Sequence, residues 1–302
     1  MKIFLESENI LLASAKNLFC FTLVVYQTHY FITVTSTGHI DFHDHTIHYY
    51  KFGYGAKVML AFHGFGQKGS DFRPLTDVLA NEYTVYCFDL FYHGRSYWNN
   101  KDEAMTKNFW ADFINYFIEQ HNISTFSLCG FSLGGKFALS TLESFPEKTE
   151  KLILLAPDGI KTSMWYSLAT YPVAFKGYFK SMIVKPHRFF NLLNTINKTG
   201  WLEKGISKFA ATQMNTTKKR RRVYFAWVVF KELKFKLHKL GKLINDHGIE
   251  VTMYLGTYDK IITEKGMQKL LKHLNDYKLH VIKSGHNQLI ENTARHITRN
   301  KA

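Results

Sequence analysis

The sequence predicts an α/β fold in which a mostly parallel, twisted sheet carries helices on both faces. Two observations point to this class. Short apolar runs alternate with segments of helical periodicity along most of the 302-residue chain. One of these runs leads into Gly130-Phe131-Ser132-Leu133-Gly134, a serine between glycines at a strand-to-helix turn. Hydrophobic residues make up 46% of the chain, which suffices for a buried core and excludes global disorder.

The alternation is regular from about residue 39 onward. In chain order we predict strands at 39–42, 46–52 and 57–62, a helix at 72–81, a strand at 83–88, a helix at 105–121, a strand at 126–129, a helix at 133–144 and a strand at 152–156. In the longest of these helices Phe109, Phe113 and Phe117 recur at helical spacing. Strands that alternate with helices imply parallel crossovers and a sheet covered on both faces.

The alternation stops between residues 160 and 245, where helical patterns and many aromatic residues occur without a clear buried strand. It resumes with a strand at 250–255, a helix at 265–274, a strand at 279–282 and a helix from about Gln288. An interruption of this kind indicates an inserted subdomain. We therefore predict an α/β core at 37–159 and 246–302, and a mainly helical segment at 160–245, called the basic insert below.

Residues 1–36 form an N-terminal extension of uncertain structure. Residues 17–34 are largely apolar, but Gln27, Thr28 and His29 interrupt them, and Glu6 and Glu8 precede them. An uninterrupted span of about 20 apolar residues is missing. The pattern favours an additional soluble segment, with an atypical signal or membrane anchor as the alternative.

The three cysteines, Cys20, Cys87 and Cys129, are odd in number and lack the spacing of a metal site. We interpret them as buried thiols of a reducing compartment, which favours a cytoplasmic location. No metal or cofactor is expected.

The Gly130 to Gly134 motif has the shape of a nucleophile elbow, which holds a serine hydroxyl exposed beside a base and hydrogen-bond donors. Such a pentapeptide is weak evidence without its structural context. Four further segments follow predicted strands: His63-Gly64-Phe65-Gly66, the stretch from Asp89 to Ser96, Gly256-Thr257-Tyr258-Asp259, and Ser284-Gly285-His286. Open α/β sheets place their sites at these carboxyl ends.

With these motifs, residues from about 40 to 297 resemble the α/β-hydrolase superfamily, with a lid inserted after the sixth strand. The resemblance implies a catalytic triad of Ser132, Asp259 and His286, which occur in the chain order of that fold. It also implies an oxyanion hole formed by the backbone N–H groups of Phe65 and Leu133. Gly130, Gly134, His63 and Gly64 would support the elbow and the neighbouring loop.

Other roles compete with these assignments. Asp259 could be a turn residue, since Gly-x-x-Asp is common where strands end. Asp158 is a rival acid, because it follows the sixth strand, a position that some relatives of the fold use. A structural role is favoured for His63, whose ring would bond loop backbone, and for Arg95, which would fix a loop.

A serine nucleophile favours acyl chemistry, because attack on an alkyl carbon would leave an inert ether. The leading hypothesis is a serine hydrolase that cleaves a carboxylic ester. Its substrate would be apolar and could also carry an anionic group. Thioester hydrolysis, amide hydrolysis and carbon–carbon bond hydrolysis use related machinery, and the triad does not separate them. A second hypothesis assigns a different kind of function, that of a non-catalytic member of the fold that binds a ligand or anionic lipid.

The basic insert contains 18 of the 39 Lys and Arg residues but only two of the 24 acidic residues, Glu203 and Glu232. The formal net charge of +15 is therefore concentrated in this segment. Its most basic run, Lys218 to Arg222, directly precedes an apolar and aromatic stretch. Such a surface could attract an anionic acyl substrate or an anionic membrane, although a solvated helix face is the simpler interpretation. No nucleic-acid partner is expected, because no recognised module accompanies the charge.

Overall fold

One sheet of eight strands organises the part of the chain that the computed structural model describes, residues 36–99, 103–160, 173–199 and 204–301. The strands are β1 (Ser36–Phe42), β2 (His45–Phe52), β3 (Lys57–Phe62), β4 (Tyr83–Phe88), β5 (Phe126–Phe131), β6 (Thr149–Leu155), β7 (Glu250–Gly256) and β8 (Lys278–Ile282). Their order in the sheet is β1-β2-β4-β3-β5-β6-β7-β8. The pairs β1–β2 and β2–β4 are antiparallel and the other five pairs are parallel, so the predicted mostly parallel sheet is confirmed.

Helices connect the parallel strands. Within the described ranges they are α1 (Arg73–Leu79), α2 (Lys107–Gln120), α3 (Gly134–Ser144), α4 (Val173–Ser181), α5 (His187–Lys198), α6 (Lys204–Met214), α7 (Thr217–Val229), α8 (Leu237–Asp246), α9 (Glu264–Leu271) and α10 (Leu289–Lys301). The pair α1 and α10 and the pair α2 and α3 are in contact. In α2 the buried Phe113 and Phe117 face the sheet, as their spacing predicts.

The element boundaries differ from the predicted ones by a few residues, and one difference concerns the elbow. The predicted strand at 126–129 continues through Gly130 and Phe131, because these residues pair with Leu154 and Leu155 of β6. The strand β6 likewise begins three residues earlier than predicted, at Thr149, which pairs with Phe126. Ser132 is therefore the first residue after a fully paired strand.

The described residues of the basic insert are mainly helical and pack around two centres. Helices α4, α6 and α7 share a separate hydrophobic cluster, which contains Phe179, Met182, Met214, Val223, Tyr224 and Val228. Helix α8 instead adds Leu240 and Ile244 to the main core, and Asn245 donates to the His273 carbonyl at 3.0 Å. The division at residue 245 stays a prediction, but α8 packs as part of the core.

Cys87 and Cys129 are buried free thiols on β4 and β5, and burial raises the pKa of both. Cys20 and the rest of the extension at 1–35 lie outside the described residues, as do residues 161–172 of the basic insert. In the described ranges no helix combines the length and the apolarity needed to cross a membrane.

Candidate active site

Ser132 lies on the turn between β5 and α3 with a left-handed backbone, φ +49°. Its N–H donates to the Leu155 carbonyl at 2.9 Å, and its carbonyl accepts from the N–H of Asp158 at 2.7 Å. These bonds hold a conformation that costs a non-glycine residue roughly 1–2 kcal/mol. The flanking glycines are needed for space, because a Cβ at Gly134 would overlap the Phe62 carbonyl oxygen. The turn therefore has the tight geometry of a nucleophile elbow.

A chain of hydrogen bonds links Ser132 to His286 and Asp259. The Ser132 Oγ lies 2.9 Å from His286 Nε2, and His286 Nδ1 lies 2.6 Å from Asp259 Oδ2. Since a carboxylate only accepts, Nδ1 carries the imidazole proton and Nε2 accepts from the serine hydroxyl. The structure thus brings together three residues that lie 154 and 27 positions apart in sequence.

The Asp259 carboxylate is held from two sides. Its side chain is fully buried, and Oδ1 accepts from the backbone N–H groups of Ile261 at 2.8 Å and Ile262 at 2.9 Å. Asp259 is thus a turn residue and the partner of His286 at once, because each carboxylate oxygen serves one role. The turn after β7 aims Oδ2 at the imidazole.

The loop after β3 lies beside the elbow. Gly64 and Gln67 close it, since the Gly64 N–H donates to Gln67 Oε1 at 3.0 Å and the Gln67 N–H donates to the Gly64 carbonyl at 3.2 Å. Among the described residues, no group accepts from the N–H of Phe65 or of Leu133. These are the two amides predicted for the oxyanion hole.

His63 lies beneath this loop and is fully buried. Its Nδ1 donates to the Gly64 carbonyl at 2.7 Å, and its Nε2 accepts from the Leu90 N–H at 3.0 Å. Burial is the main cause that lowers the pKa of His63, which favours the neutral ring. Because both ring nitrogens bond backbone, His63 has no nitrogen free to act as a base.

Two clefts lie near this hydrogen-bond chain. The larger, about 610 Å³, is called the Arg222 cleft, and its lining includes Phe65, Gly66, Gln213, Lys219, Arg222 and Asn287. The smaller, about 320 Å³, is lined by residues that include Tyr258, Ile261, Gly285 and His286. Phe65 belongs to the loop after β3, which contains one of the predicted oxyanion donors, and Asn287 follows the candidate base. The smaller cleft is thus lined by the candidate base itself, whereas the Arg222 cleft is lined by Asn287, the residue that follows it.

A model of the alpha/beta hydrolase fold family matches residues 57–293, a range that contains Ser132, Asp259 and His286. The chain belongs to the α/β-hydrolase fold family.

Known proteins match part of the chain at low sequence identity. The chain is 30% identical over 113 residues to a dihydrolipoyllysine-residue acetyltransferase component of the acetoin cleaving system of Cupriavidus necator, covering 37% of this chain and 30% of that protein. It is 26% identical over 145 residues to the uncharacterized hydrolase YugF of Bacillus subtilis, covering 47% of this chain and 53% of that one. The matches span about a third to a half of these relatives.

Among solved structures, a thermophilic esterase from Thermogutta terrifontis superposes with a TM-score of 0.63 at 17% identity, covering 88% of this chain and 97% of that chain. At this identity the likeness concerns the fold alone.

Asp158 does not approach the imidazole of this α/β-hydrolase. Its Oδ2 lies 3.4 Å from Nζ of the buried Lys136, and its Oδ1 accepts from the Gly159 N–H at 2.7 Å. The carboxylate is thus engaged on the α3 side, and of the two candidate acids only Asp259 contacts His286.

The loop after β4 is organised by Asp89, a residue for which the motifs predict no individual role. Its buried carboxylate accepts from the Gly69 N–H at 2.7 Å and from the Arg95 N–H at 2.9 Å. A Cβ at Gly94 would overlap this carboxylate. Arg95 therefore fixes the loop through its backbone, while its side chain is exposed. The position of Asp89 after a buried strand was the available signal.

The basic run of this α/β-hydrolase is not one solvated face. Lys218 and Arg221 are exposed, and the Lys219 ammonium donates to the Thr212 carbonyl at 3.1 Å. Arg220 is buried and donates to the carbonyls of Ile183 at 2.8 Å and Met214 at 3.0 Å. Arg222 lies near Gly66 of the loop after β3, and both line the Arg222 cleft, a placement that the sequence pattern does not reveal.

Proposed function

We propose that this α/β-hydrolase is a serine hydrolase that cleaves carboxylic esters through an acyl-enzyme. The observation that carries the proposal is the continuous hydrogen-bond chain from Ser132 Oγ to His286 at 2.9 Å and from His286 to Asp259 at 2.6 Å. These lengths lie within the range that proton transfer between a nucleophile and its base requires.

In the acylation step, Ser132 Oγ attacks the ester carbonyl while His286 Nε2 takes the hydroxyl proton. The oxygen of the tetrahedral intermediate becomes negative and accepts from the N–H groups of Phe65 and Leu133. The imidazolium is stabilised by the Asp259 carboxylate. His286 then gives its proton to the departing alkoxide, which leaves as an alcohol and breaks the ester C–O bond.

In the deacylation step, water takes the place of the alcohol. His286 removes a proton from this water as it attacks the acyl carbon, and the same two amides accept the developing charge. Collapse of the intermediate returns the proton to Ser132 Oγ and releases the carboxylic acid. No other catalytic group is required by this sequence of steps.

The test is hydrolysis of 4-nitrophenyl esters of graded acyl length by the full chain, together with labelling by a fluorophosphonate. We expect turnover and a single adduct that peptide mass spectrometry maps to Ser132. The variant Ser132→Ala should lose both, with kcat reduced by about 10⁴-fold or more. Ser207→Ala, on helix α6, is the matched control and should keep both.

Two outcomes would redirect the proposal. Absence of turnover with every ester, joined to absence of labelling, would favour the non-catalytic alternative. Faster cleavage of a thioester than of the oxygen ester of the same acyl chain would make thioester hydrolysis the better description, with the same triad.

A further inference from the structure

Arg222 is a half-buried cation that no acidic residue neutralises within the described part of the chain. Its Nε is buried and has no hydrogen-bond partner among the residues that the structure describes. Burial lowers the pKa of this guanidinium, but an arginine stays protonated at neutral pH. Burying a charged donor without a partner costs free energy, and such a cost is common where a ligand supplies the missing group.

The fold of helix α7 keeps Arg222 in this place. Arg220, two residues earlier, is anchored by carbonyls of Ile183 and Met214. Tyr224, two residues later, is fully buried in the hydrophobic cluster of the insert. Both anchors fix the rotation of the helix and therefore the side of the helix from which Arg222 projects. Arg221 between them is exposed and lies 5.9 Å from the Phe225 ring.

The surroundings of Arg222 suit an anion. One terminal guanidinium nitrogen lies 3.8 Å, and Gln213 Oε1 3.7 Å, from the point where a Cβ on Gly66 would stand. Lys208 and Lys219 also line the cleft, and no acidic residue does so among the described residues. A volume of about 610 Å³ is in the range of small-molecule sites.

We propose that Arg222 binds an anionic group of the substrate, a carboxylate or a phosphate, next to the loop after β3. The inference rests on the proposed ester hydrolysis and adds a substrate class to it. A guanidinium can present two parallel N–H donors to either group. Because the Arg222 cleft is bordered by Phe65 and Asn287, the anion would lie on one side of the ester that Ser132 attacks.

The test compares charged and neutral members of two substrate pairs with the full chain. The first pair carries the charge on the acyl side: the mono-4-nitrophenyl ester of suberic acid and its methyl ester. The second carries it on the alcohol side: the butyrates of 4-hydroxyphenylacetic acid and of its methyl ester. The measured quantity is the ratio of kcat/KM for the charged and the neutral member. For the pair that shows the stronger preference, the same ratio is also measured with a phosphate in place of the carboxylate.

We expect the unmodified chain to prefer the charged member in at least one pair. Arg222→Gln should reduce this ratio about 10- to 100-fold, mainly through KM, since a hydrogen bond to a charged group is lost. Arg222→Lys keeps the charge without the planar fork, so its ratio should lie between those of the unmodified chain and Arg222→Gln. Arg221→Gln removes the same charge one position away and should keep the ratio. Thermal unfolding establishes that each variant is folded.

Three outcomes would overturn the proposal. They are equal rates for both members in both pairs, an equal loss of the ratio in Arg221→Gln and Arg222→Gln, and an unchanged ratio with loss of binding to anionic lipid vesicles in both variants. The last result would assign the charge to a membrane surface instead. Turnover of the neutral esters by the unmodified chain reports separately on the proposed function.

Discussion

At the scale of the residue, His286 depends on Asp259 for its tautomer, and Asp259→Asn tests this dependence. The Asn Oδ1 could still accept from the N–H groups of Ile261 and Ile262, so its Nδ2 would face His286 Nδ1. The ring would then carry its proton on Nε2 and could not accept from Ser132. We expect kcat to fall by about 10⁴-fold with little change in fold.

The matched control is Asp158→Asn, measured by the same ester assay. Asp158 bonds Lys136 and Gly159 instead of the imidazole, so kcat should stay within a few-fold of its original value. A large loss of kcat in Asp158→Asn, with activity retained in Asp259→Asn, would transfer the role of the acid to Asp158.

The buried thiols give a second prediction at this scale. Burial raises the pKa of Cys87 and of Cys129, so both are neutral thiols near pH 8, and the thiolate is the reactive form. We expect iodoacetamide to modify neither residue in the folded chain and both after denaturation in urea. Peptide mass spectrometry that follows the two sites separately measures this. Rapid labelling of either site in the folded chain would contradict their burial in the sheet.

At the scale of the element, the elbow depends on close contact between α3 and β3. Gly134→Ala would place a methyl group against the Phe62 carbonyl, which is backbone and cannot move aside. We expect a loss of about 1–3 kcal/mol in the free energy of unfolding, together with weaker fluorophosphonate labelling of Ser132. Chemical denaturation and labelling measure the two effects.

Gly177→Ala is the control for this prediction. Gly177 lies inside α4, and nothing stands within 4 Å of the position its Cβ would take. The same substitution should therefore stabilise the chain, by roughly 0.5–1 kcal/mol, because alanine favours the helix. Equal effects of the two substitutions would show that helix propensity, and not the contact with β3, decides the outcome.

Arg220 links α7 to the residues that follow α4 and end α6. Arg220→Met would leave the carbonyls of Ile183 and Met214 without this donor, at a cost of about 1–3 kcal/mol for each buried group left unpaired. We expect faster hydrogen exchange in peptides from α4 to α7 and little change in those of the sheet. Arg221→Met should leave exchange unchanged in both regions, as its side chain is exposed.

The basic run shows how far the sequence can be interpreted at this scale. Its composition predicts a charged helix, and the structure places it in α7 as a helix. The different exposures of Arg220, Arg221 and Arg222 arise from the rotation of α7 against α4 and α6. That rotation is set by tertiary packing around Tyr224, which the local pattern does not encode.

At the scale of the whole molecule, the sequence predicts the individual strands better than it predicts which strands, and which side chains, come into contact. Apolar runs predict each strand, and the glycine motif predicts the elbow, because both signals are local. The order that places β3 between β4 and β5 depends on long-range pairing. So does the choice between Asp158 and Asp259, since both follow strands and only the turn after β7 directs a carboxylate to His286.

The charge distribution of the molecule separates long-range attraction from local binding. The excess of basic residues lies in the basic insert, so its field should raise the encounter rate of an anionic ester at low ionic strength. Raising the salt from 0.01 to 1 M shortens the Debye length from about 30 to about 3 Å. We therefore expect kcat/KM for the charged ester to fall with salt, while that for its neutral partner stays nearly constant. In Arg222→Gln the preference for the charged ester should be lower. The salt dependence of kcat/KM should nevertheless persist, because the other basic residues of the insert remain. If Arg222→Gln instead loses the salt dependence, Arg222 alone supplies the long-range attraction.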